Sequence, residues 1–257
     1  MNWAQLYADL GAQLQSGTKL SFLESFFVDF YKAFLDGNRW QLYLKGVLTT
    51  LEVTALALMM GIVLGVLVAI IRTAHDQQRP GRRNFLLGIL NVVCQAYTTI
   101  IRGTPMIVQM LIMGSVVFAS SRNFTFIGTI ALGINSGAYV AEIVRGGLMS
   151  VDAGQSEAGR SLGLGYIDTM RFIIIPQAFK NILPSLGNEF ITLFKDTALI
   201  TTIGGKELLY AAQAVGAKTY SVMFPLLGAA LIYLVLVMIL TWLQGKLERR
   251  LRQSDRR

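Results

Sequence analysis

Uncharged, apolar residues run through the chain in blocks that are too long for the core of a soluble protein. The first block, residues 53–71, holds nineteen residues without a charge, and the last block, residues 221–244, holds twenty-four. At about 1.5 Å per helical residue, nineteen residues extend about 28 Å, close to the hydrocarbon thickness of a bilayer, about 30 Å. Both blocks therefore predict membrane-spanning helices. Within the first, Gly61 and Gly65 have the spacing of small residues that lets two helices pack closely.

Three further blocks bring the predicted number of spans to about five. They are less uniform than the first two and comprise residues 103–121, residues 124–141 and residues 182–205. The last of these is the weakest, because two acidic side chains and one lysine interrupt it. The predicted fold class is therefore all-α, that of a polytopic membrane protein.

One apolar stretch, residues 85–101, has two interpretations. As a separate span it would raise the number to six. Alternatively it is a helix at the cytoplasmic interface that bends over residues 102–105 and continues outward. Pro105 lacks an N–H and disfavours helical geometry at the residue before it, so a break is expected at Thr104. We favour the bent helix, because five spans fit the charge distribution better than six.

The distribution of Lys and Arg predicts the orientation in the membrane. Cytoplasmic loops carry an excess of basic residues. The excess follows the first span at Arg72, Arg79, Arg82 and Arg83, and the last span at Lys246, Arg249, Arg250, Arg252, Arg256 and Arg257. We therefore expect a cytoplasmic C-terminus and an N-terminus outside, which requires an odd number of spans. This topology accounts for the net charge of +8, so no nucleic-acid partner is expected.

The composition excludes several classes of function. Charged residues make up 15% of the chain, where soluble domains have about 25%. A single cysteine and a single histidine exclude a disulfide framework and a cysteine-based zinc site, and they argue against histidine-dependent catalysis. No pair of catalytic carboxylates is recognisable. We expect this protein to have no metal site and no catalytic residue, and therefore not to be an enzyme.

The N-terminal segment, residues 1–42, is predicted to lie outside the membrane and to contain an amphipathic helix. Apolar residues recur at spacings of three and four over residues 22–36. Ser21 and Glu24 have the spacing of a capping box, and Gly37 with Asn38 marks a helix end. We expect this helix to lie on the outer membrane face, in contact with lipid.

The stretch between the third and fourth spans carries the most specific pattern. Glu157, Ala158 and Gly159 are followed after three residues by Gly163, and after nine more by residues 173–176 with the sequence Ile-Ile-Ile-Pro. This spacing resembles the EAA loop of ABC-transporter permeases, whose pattern is Glu-Ala-Ala, three residues, Gly, nine residues, Ile-x-Leu-Pro. Gly159 and Ile175 depart from that pattern by small changes.

Further segments resemble the polar amino acid branch of the binding-protein-dependent importers. They are Gly46, residues 50–51, residues 102–105 with Gln109, residues 138–147, residues 176–178, residues 188–190 and residues 195–199. The resemblance covers about residues 42–247. It implies a permease domain over residues 43–247 with a type I importer fold, a coupling loop at about 146–180, and a basic cytoplasmic tail at 248–257.

The resemblance also implies a bacterial inner-membrane location and a set of partners. These are cytoplasmic ATPase subunits, a second permease of the same or a related chain, and an external binding protein that delivers polar amino acids. The Gly-rich run at residues 163–165 lacks the Gly-Lys-Ser/Thr ending of a phosphate loop. ATP and Mg are therefore expected in the ATPase, with no cofactor in this chain. The alternative is a stand-alone ion-coupled transporter or channel, which would need no docking loop.

The residues expected to contact the ATPase lie together in the coupling loop. They are Glu157, Ala158, Gly159, Arg160, Ser161, Leu162 and Gly163. The small side chains permit close approach to a groove on a partner, while the charged ones fix the register. We expect Gly163 and Gly165 to end the short helix in left-handed geometry.

Polar residues inside the predicted spans are the candidates for binding the substrate, because such residues are costly in a bilayer. They fall on one face of each of two helices and comprise Asn135, Tyr139, Glu142, Glu189, Thr192 and Asp196. Asp196 is the strongest candidate, since nearby threonines keep that region polar. For Glu142, a salt bridge to Arg145 is favoured over substrate contact. For Glu189 two roles are equally compatible with the sequence: a structural pair with Lys195 or a partner span, and contact with the substrate.

Overall fold

The computed structural model describes residues 2–78 and 84–254, with side chains as far as Leu251. Within this part of the chain every regular element is helical, as predicted. The α-helices are α1 (Trp3–Gln15), α2 (Phe22–Phe34), α3 (Trp40–Asp76), α4 (Phe85–Gly103), α5 (Met106–Ile112), α6 (Phe124–Met149), α7 (Ala153–Ser161), α8 (Tyr166–Thr169), α9 (Ile175–Asp196), α10 (Leu208–Thr219) and α11 (Met223–Ser254). Some of the basic residues that predicted the orientation lie outside the described part of the chain. They are Arg79, Arg82, Arg83, Arg256 and Arg257, together with the side chain of Arg252.

Four helices in the described ranges are long and apolar enough to cross a membrane. They are Asp36–Asp76, which joins a short 3-10 turn to α3, then α4, α6 and Met223–Leu251 within α11. The weak span predicted at 182–205 corresponds to α9 and the 3-10 turn Thr197–Ile203. Helix α9 is less apolar than these four, because it also contains Gln177, Asn181 and Asn188 besides its charged residues.

The predicted break at Thr104 is confirmed, but the span predicted at 103–121 is reduced to a shorter apolar helix, Met106–Val117. Thr104 is extended, with φ −118° and ψ 145°, so the helix breaks before Pro105 as that proline requires. Beyond the break α5 has only 7 residues, and a π-helical turn, Met113–Val117, follows it. On the other side of the break α4 has 19 residues, a length that fits a span better than the interfacial position we favoured.

The core lies where α3 and α6 pack against each other. In the apolar eighteen-residue stretch of each spanning helix, 67% of the residues of α6 are buried, against 28% for α3, 17% for α11 and 11% for α4. Helix α6 is therefore the central helix. A Cβ atom at Gly61 would lie 2.7 Å from Ser136 Oγ, and one at Gly65 would lie 2.6 Å from Val140 Cβ. Only glycine allows this approach, which confirms the packing role predicted for both residues.

The N-terminal helices form a hairpin at the end of the bundle opposite α7. The predicted capping box is present, with Ser21 N–H donating to Glu24 Oε2 at 2.8 Å and Glu24 N–H to Ser21 Oγ at 3.4 Å. Helix α2 ends at Phe34. Gly37 and Asn38 follow it with positive φ, which confirms the helix end predicted there. Helix α1 was not predicted from the sequence.

Candidate functional site

Helix α7, at the centre of the predicted coupling loop, has a defined end. Gly163 has φ +78°, and its N–H donates to Arg160 O at 3.0 Å, while Leu164 N–H donates to Gly159 O at 3.0 Å. This pair of bonds is a Schellman motif, which needs the left-handed residue that glycine supplies. The prediction for Gly163 is confirmed. The one for Gly165 is wrong, because Gly165 has φ −67° and precedes α8 instead.

One side of α7 is fixed to the structure behind it. A Cβ atom at Gly159 would lie 2.8 Å from Thr169 Oγ1 and 3.2 Å from Ile173 Cδ1, so the helix backbone rests on the π-helical turn Met170–Ile174. Gln177 Nε2 on α9 donates to Gln155 Oε1 at 3.1 Å. Helix α7 is therefore packed against the bundle along this side.

The other side of α7 is open. Glu157, Ala158, Arg160 and Ser161 are exposed on it. Leu162 is 78% exposed. Tyr166 and Ile167 of α8 continue this surface, and Ile167 is 76% exposed. We call Ala158, Arg160, Leu162, Tyr166 and Ile167 the coupling surface. A compact, mostly apolar surface with one arginine is typical of a protein interface.

Two contacts tie the coupling end to the end of α3. Arg145 Nη2 on α6 lies 3.0 Å from Asp76 Oδ2. The hydroxyl of Tyr166 on α8 donates to the side chain of Gln77. Helix α8 is thereby linked to the end of α3.

Glu142 is held by arginines other than the predicted one. It pairs with Arg72 on α3, and Arg102 on α4 lies 3.9 Å from its Oε2. The guanidinium of Arg102 also lies 5.4 Å from the centroid of the Tyr139 ring. The predicted partner Arg145 instead pairs with Asp76, so that expectation was wrong. Glu142 and Tyr139 thus belong to one charged cluster that joins α3, α4 and α6.

Asn135 contributes to a different arrangement, around the helix break. Its Nδ2 donates to Gln109 Oε1 at 3.0 Å. Gln109 Nε2 in turn reaches the carbonyl of Ile101 at 2.7 Å and Thr104 Oγ1 at 2.8 Å. Backbone groups that the Pro105 break leaves without helical partners are thereby satisfied. Asn135 thus positions the break.

Glu189, Thr192 and Asp196 lie along α9 but make separate contacts. Ser136 Oγ donates to Glu189 Oε1 at 2.8 Å, which replaces the predicted pair with Lys195. Thr192 is exposed, and its hydroxyl donates to the carbonyl one turn earlier at 3.1 Å. Asp196 is half-buried at the end of α9, and the described side chains include no ion pair between it and Lys195 within 4.0 Å. The six predicted substrate residues therefore do not form a single cluster within one chain.

Sequence reasoning missed a buried carboxylate, Glu207. It is 1% exposed. It accepts hydrogen bonds from Thr201 Oγ1 at 2.6 Å, Tyr210 N–H at 2.8 Å and Tyr233 OH at 2.5 Å, with Thr50 Oγ1 at 3.5 Å. Glu207 thereby joins α3, α10, α11 and the 3-10 turn after α9. Because Thr50 and Tyr233 are distant in sequence, no local pattern signalled that Glu207 is buried among them.

Known proteins share both the sequence pattern and the helical arrangement. Residues 61–253 match the family described as binding-protein-dependent transport system inner membrane component. The chain belongs to this family. It is 36% identical over 218 residues to the arginine transport system permease protein ArtQ of Bacillus subtilis, an alignment that covers 82% of this chain and 93% of ArtQ. It is 34% identical to the glutamine transport system permease protein GlnP of Escherichia coli, with the same two coverages.

Solved structures of ABC transporters share the fold. A chain from the crystal structure of an amino acid ABC transporter with histidines has a TM-score of 0.75 and 36% sequence identity, covering 91% of this chain and 100% of that one. A chain of the inward-facing MetNI methionine ABC transporter has a TM-score of 0.70 at 20% identity, covering 84% and 99%, and shows the fold alone. The chain is therefore a multi-pass inner-membrane permease with the predicted all-α fold. The match to the family includes α7 and leaves the N-terminal hairpin outside it.

Proposed function

We propose that this permease forms the membrane path of an ATP-driven importer of polar amino acids. The observation that carries the proposal is α7, which packs on one end of the bundle and leaves its coupling surface exposed. The named substrates of the relatives ArtQ and GlnP, arginine and glutamine, support polar amino acids as the substrate class. The chain is a transporter subunit, and transport by it involves no covalent step.

The coupling surface is the proposed contact for a cytoplasmic ATPase subunit. Its apolar residues Leu162, Tyr166 and Ile167 are exposed, and burying them against a partner removes apolar area from water. ATP and Mg would bind to that ATPase, and this chain would need no cofactor of its own. The contacts from Tyr166 to Gln77 and from Arg145 to Asp76 connect this end to α3. Movement of the ATPase would then reach the helices that line the path.

A second permease, either the same chain or a related one, is the proposed partner within the membrane. Several polar side chains of the spanning helices are exposed, namely Arg102, Thr104, Asn188, Thr192 and Lys195. Polar groups facing lipid at this depth are costly, whereas the same groups lining a water-filled path are not. A second permease opposite these faces would enclose an aqueous path between the two subunits.

The orientation that fits this assembly puts α7 in the cytoplasm and the N-terminus outside. Arg72 lies at the α7 end of the bundle, and so do Lys246, Arg249 and Arg250 on α11. Their position agrees with the enrichment of basic residues on the cytoplasmic side. The opposite end, which includes α10, would then receive amino acids from an external binding protein. Alternating access would follow from movement of the spans between two states.

Asp196 is the side chain we propose to contact the substrate ammonium group. It is half-buried and no other described side chain forms an ion pair with it, whereas Glu142 is already paired. We expect Asp196→Asn to weaken uptake of every accepted amino acid, because all share the ammonium. The loss of a hydrogen bond to a charged group, about 1.5–3 kcal/mol, corresponds to a tenfold to hundredfold rise in apparent KM. Uptake kinetics at a fixed binding-protein concentration measure this.

The control for Asp196 is its neighbour Lys195. The two side chains form no ion pair within 4.0 Å, so Lys195→Gln alone should change the apparent KM less than Asp196→Asn does. The double variant Asp196→Asn with Lys195→Gln should be as impaired as Asp196→Asn. Full recovery of uptake in the double variant would show that Asp196 only neutralises Lys195 and would remove it from the path.

The alternative function, a stand-alone ion-coupled transporter, would have no use for the coupling surface. The family match disfavours it, since members are components of binding-protein-dependent systems. Uptake into proteoliposomes separates the two functions directly, because only the importer needs an ATPase and ATP.

A further inference from the structure

The N-terminal hairpin is seated firmly on the outer ends of the spanning helices. The rings of Phe26 and Phe224 lie 4.9 Å apart, and those of Phe34 and Tyr43 lie 5.2 Å apart. A Cβ atom at Gly228 of α11 would lie 2.3 Å from Phe34 Cζ, so the Phe34 ring rests directly on the glycine backbone. The hairpin is thus a fixed part of the bundle.

Aromatic side chains also join the two helices of the hairpin. Trp3 and Phe27 have ring centroids 5.5 Å apart, and Tyr7 and Tyr31 stack at 4.5 Å. These contacts occupy one side of α2 and leave another side uncovered by the described chain.

The uncovered side of α2 is an apolar ridge, and a half-buried polar stripe lies next to it. Phe22, Phe26 and Phe30 recur every four residues and, with Leu23, form the ridge. Phe22 is 82% exposed and Leu23 is 76% exposed. The neighbouring stripe consists of Ser25, Asp29 and Lys32. An apolar and a polar stripe side by side are expected of a helix that lies along a membrane surface.

Helix α11 fixes the depth of the hairpin in the membrane. At its other end Lys246 Nζ lies 3.5 Å from the centroid of the Trp242 ring. Trp and Lys in this arrangement are typical of the membrane–water interface. The eighteen-residue rise from Phe224 to Trp242 is about 27 Å, close to the hydrocarbon thickness of about 30 Å. Phe26, which packs on Phe224, therefore lies near the opposite interface.

The ridge meets α11 at Phe224, next to the exposed apolar side of that helix. Met223, Leu227 and Leu231 are exposed along one face of that helix. Since Phe26 packs on Phe224 at the start of α11, the ridge extends this apolar face outward over the end of the bundle. We propose that the N-terminal hairpin is a lipid-binding anchor, whose ridge inserts among the acyl chains of the outer leaflet while its polar stripe faces water.

A lipid surface fits the ridge better than a protein partner. The four ridge side chains are Phe or Leu, and they offer no hydrogen-bond donor or acceptor for the polar rim of a protein interface. The exposed tryptophans Trp3 and Trp40 lie at the same end of the molecule, as expected for an aromatic belt at the headgroup level. The match to the family begins at residue 61, so the hairpin lies outside the matched residues. It does not depend on which substrate is carried.

Nitroxide labels on single cysteines test the anchor in the full-length protein, reconstituted in phosphatidylcholine nanodiscs. In a Cys94→Ser background, labels replace Phe22 and Phe26 on the ridge and Ser25 and Lys32 on the polar stripe. Leu227 supplies the lipid reference and Glu157 the water reference. Power-saturation EPR measures collision with oxygen, which concentrates in lipid, and with a nickel chelate, which stays in water.

We expect the ratio of oxygen to nickel collision to be several-fold higher at Phe22 and Phe26 than at Ser25 and Lys32. A label at Leu234, deeper on α11, should give a higher ratio still, because the ridge lies at the interface and not at the bilayer centre. Nickel access at Phe26 equal to that at Ser25 would overturn the proposal. Shielding of Phe26 from both reagents would also overturn it, because a protein would then cover the ridge.

Discussion

A single negative charge at Leu162 is expected to abolish binding of the ATPase subunit. Leu162 is 78% exposed in the chain alone and belongs to the coupling surface. Removing a buried leucine from an interface costs about 1.5–3 kcal/mol, and burying an unpaired carboxylate there adds more. We expect Leu162→Asp to weaken ATPase binding at least about a hundredfold. Titration of the purified permease with the ATPase measures the change.

The control is Tyr220→Asp at the far end of the bundle. Tyr220 is 96% exposed and lies beyond α10. Its φ of +53° is a conformation that aspartate tolerates. This variant should bind the ATPase as the wild type does. Because Leu162 makes little contact within the chain, Leu162→Asp should also keep the thermal stability of the permease. Unchanged ATPase affinity in Leu162→Asp would exclude α7 as the contact.

Removing the Glu207 carboxylate is expected to destabilise the permease strongly. In Glu207→Ala the hydroxyls of Thr201 and Tyr233 and the N–H of Tyr210 lose their acceptor inside a buried site. Each buried donor without a partner costs about 1–3 kcal/mol. The loss should therefore be about 3 kcal/mol or more, which lowers the Tm by roughly 10 °C for a chain of this size. Thermal unfolding in detergent measures this.

Glu207→Gln is the matched variant, because its amide oxygen still accepts two of these bonds. Its Tm should fall by less than half as much as that of Glu207→Ala. Tyr233→Phe leaves Glu207 Oε2 with only Thr50 Oγ1 at 3.5 Å, so the Tm of this variant should also fall, but by less than that of Glu207→Ala. If Glu207→Ala unfolds at the wild-type temperature, the hydrogen bonds of Glu207 do not stabilise the packing of these four helical elements.

Features encoded by neighbouring residues were predictable from the sequence. The apolar blocks identified α3, α6 and α11, since a bilayer sets the length of a span. The capping box at Ser21 and the left-handed end of α7 at Gly163 depend on residues within one or two helical turns. Pro105 marked the helix break for the same local reason.

Features that depend on distant residues were not predictable. Glu142 was assigned to Arg145 because the two are three residues apart, yet its partner Arg72 is seventy residues away in sequence. For Glu189, a pair with Lys195 was one of the alternatives, and the carboxylate accepts from Ser136 instead. In both cases helix packing supplied a partner that is distant in sequence. Glu207 shows the same limit, because Thr50 and Tyr233 reach it only in the assembled bundle.

The central claim is that this permease imports amino acids by using an ATPase bound at α7, and uptake into proteoliposomes tests it most directly. Vesicles contain the permease and the ATPase, with binding protein and radiolabelled arginine or glutamine outside and ATP inside. We predict accumulation of at least one of these amino acids against its gradient, dependent on ATP and lost in Leu162→Asp. Accumulation driven by an ion gradient in vesicles that contain neither ATPase nor ATP would contradict the claim.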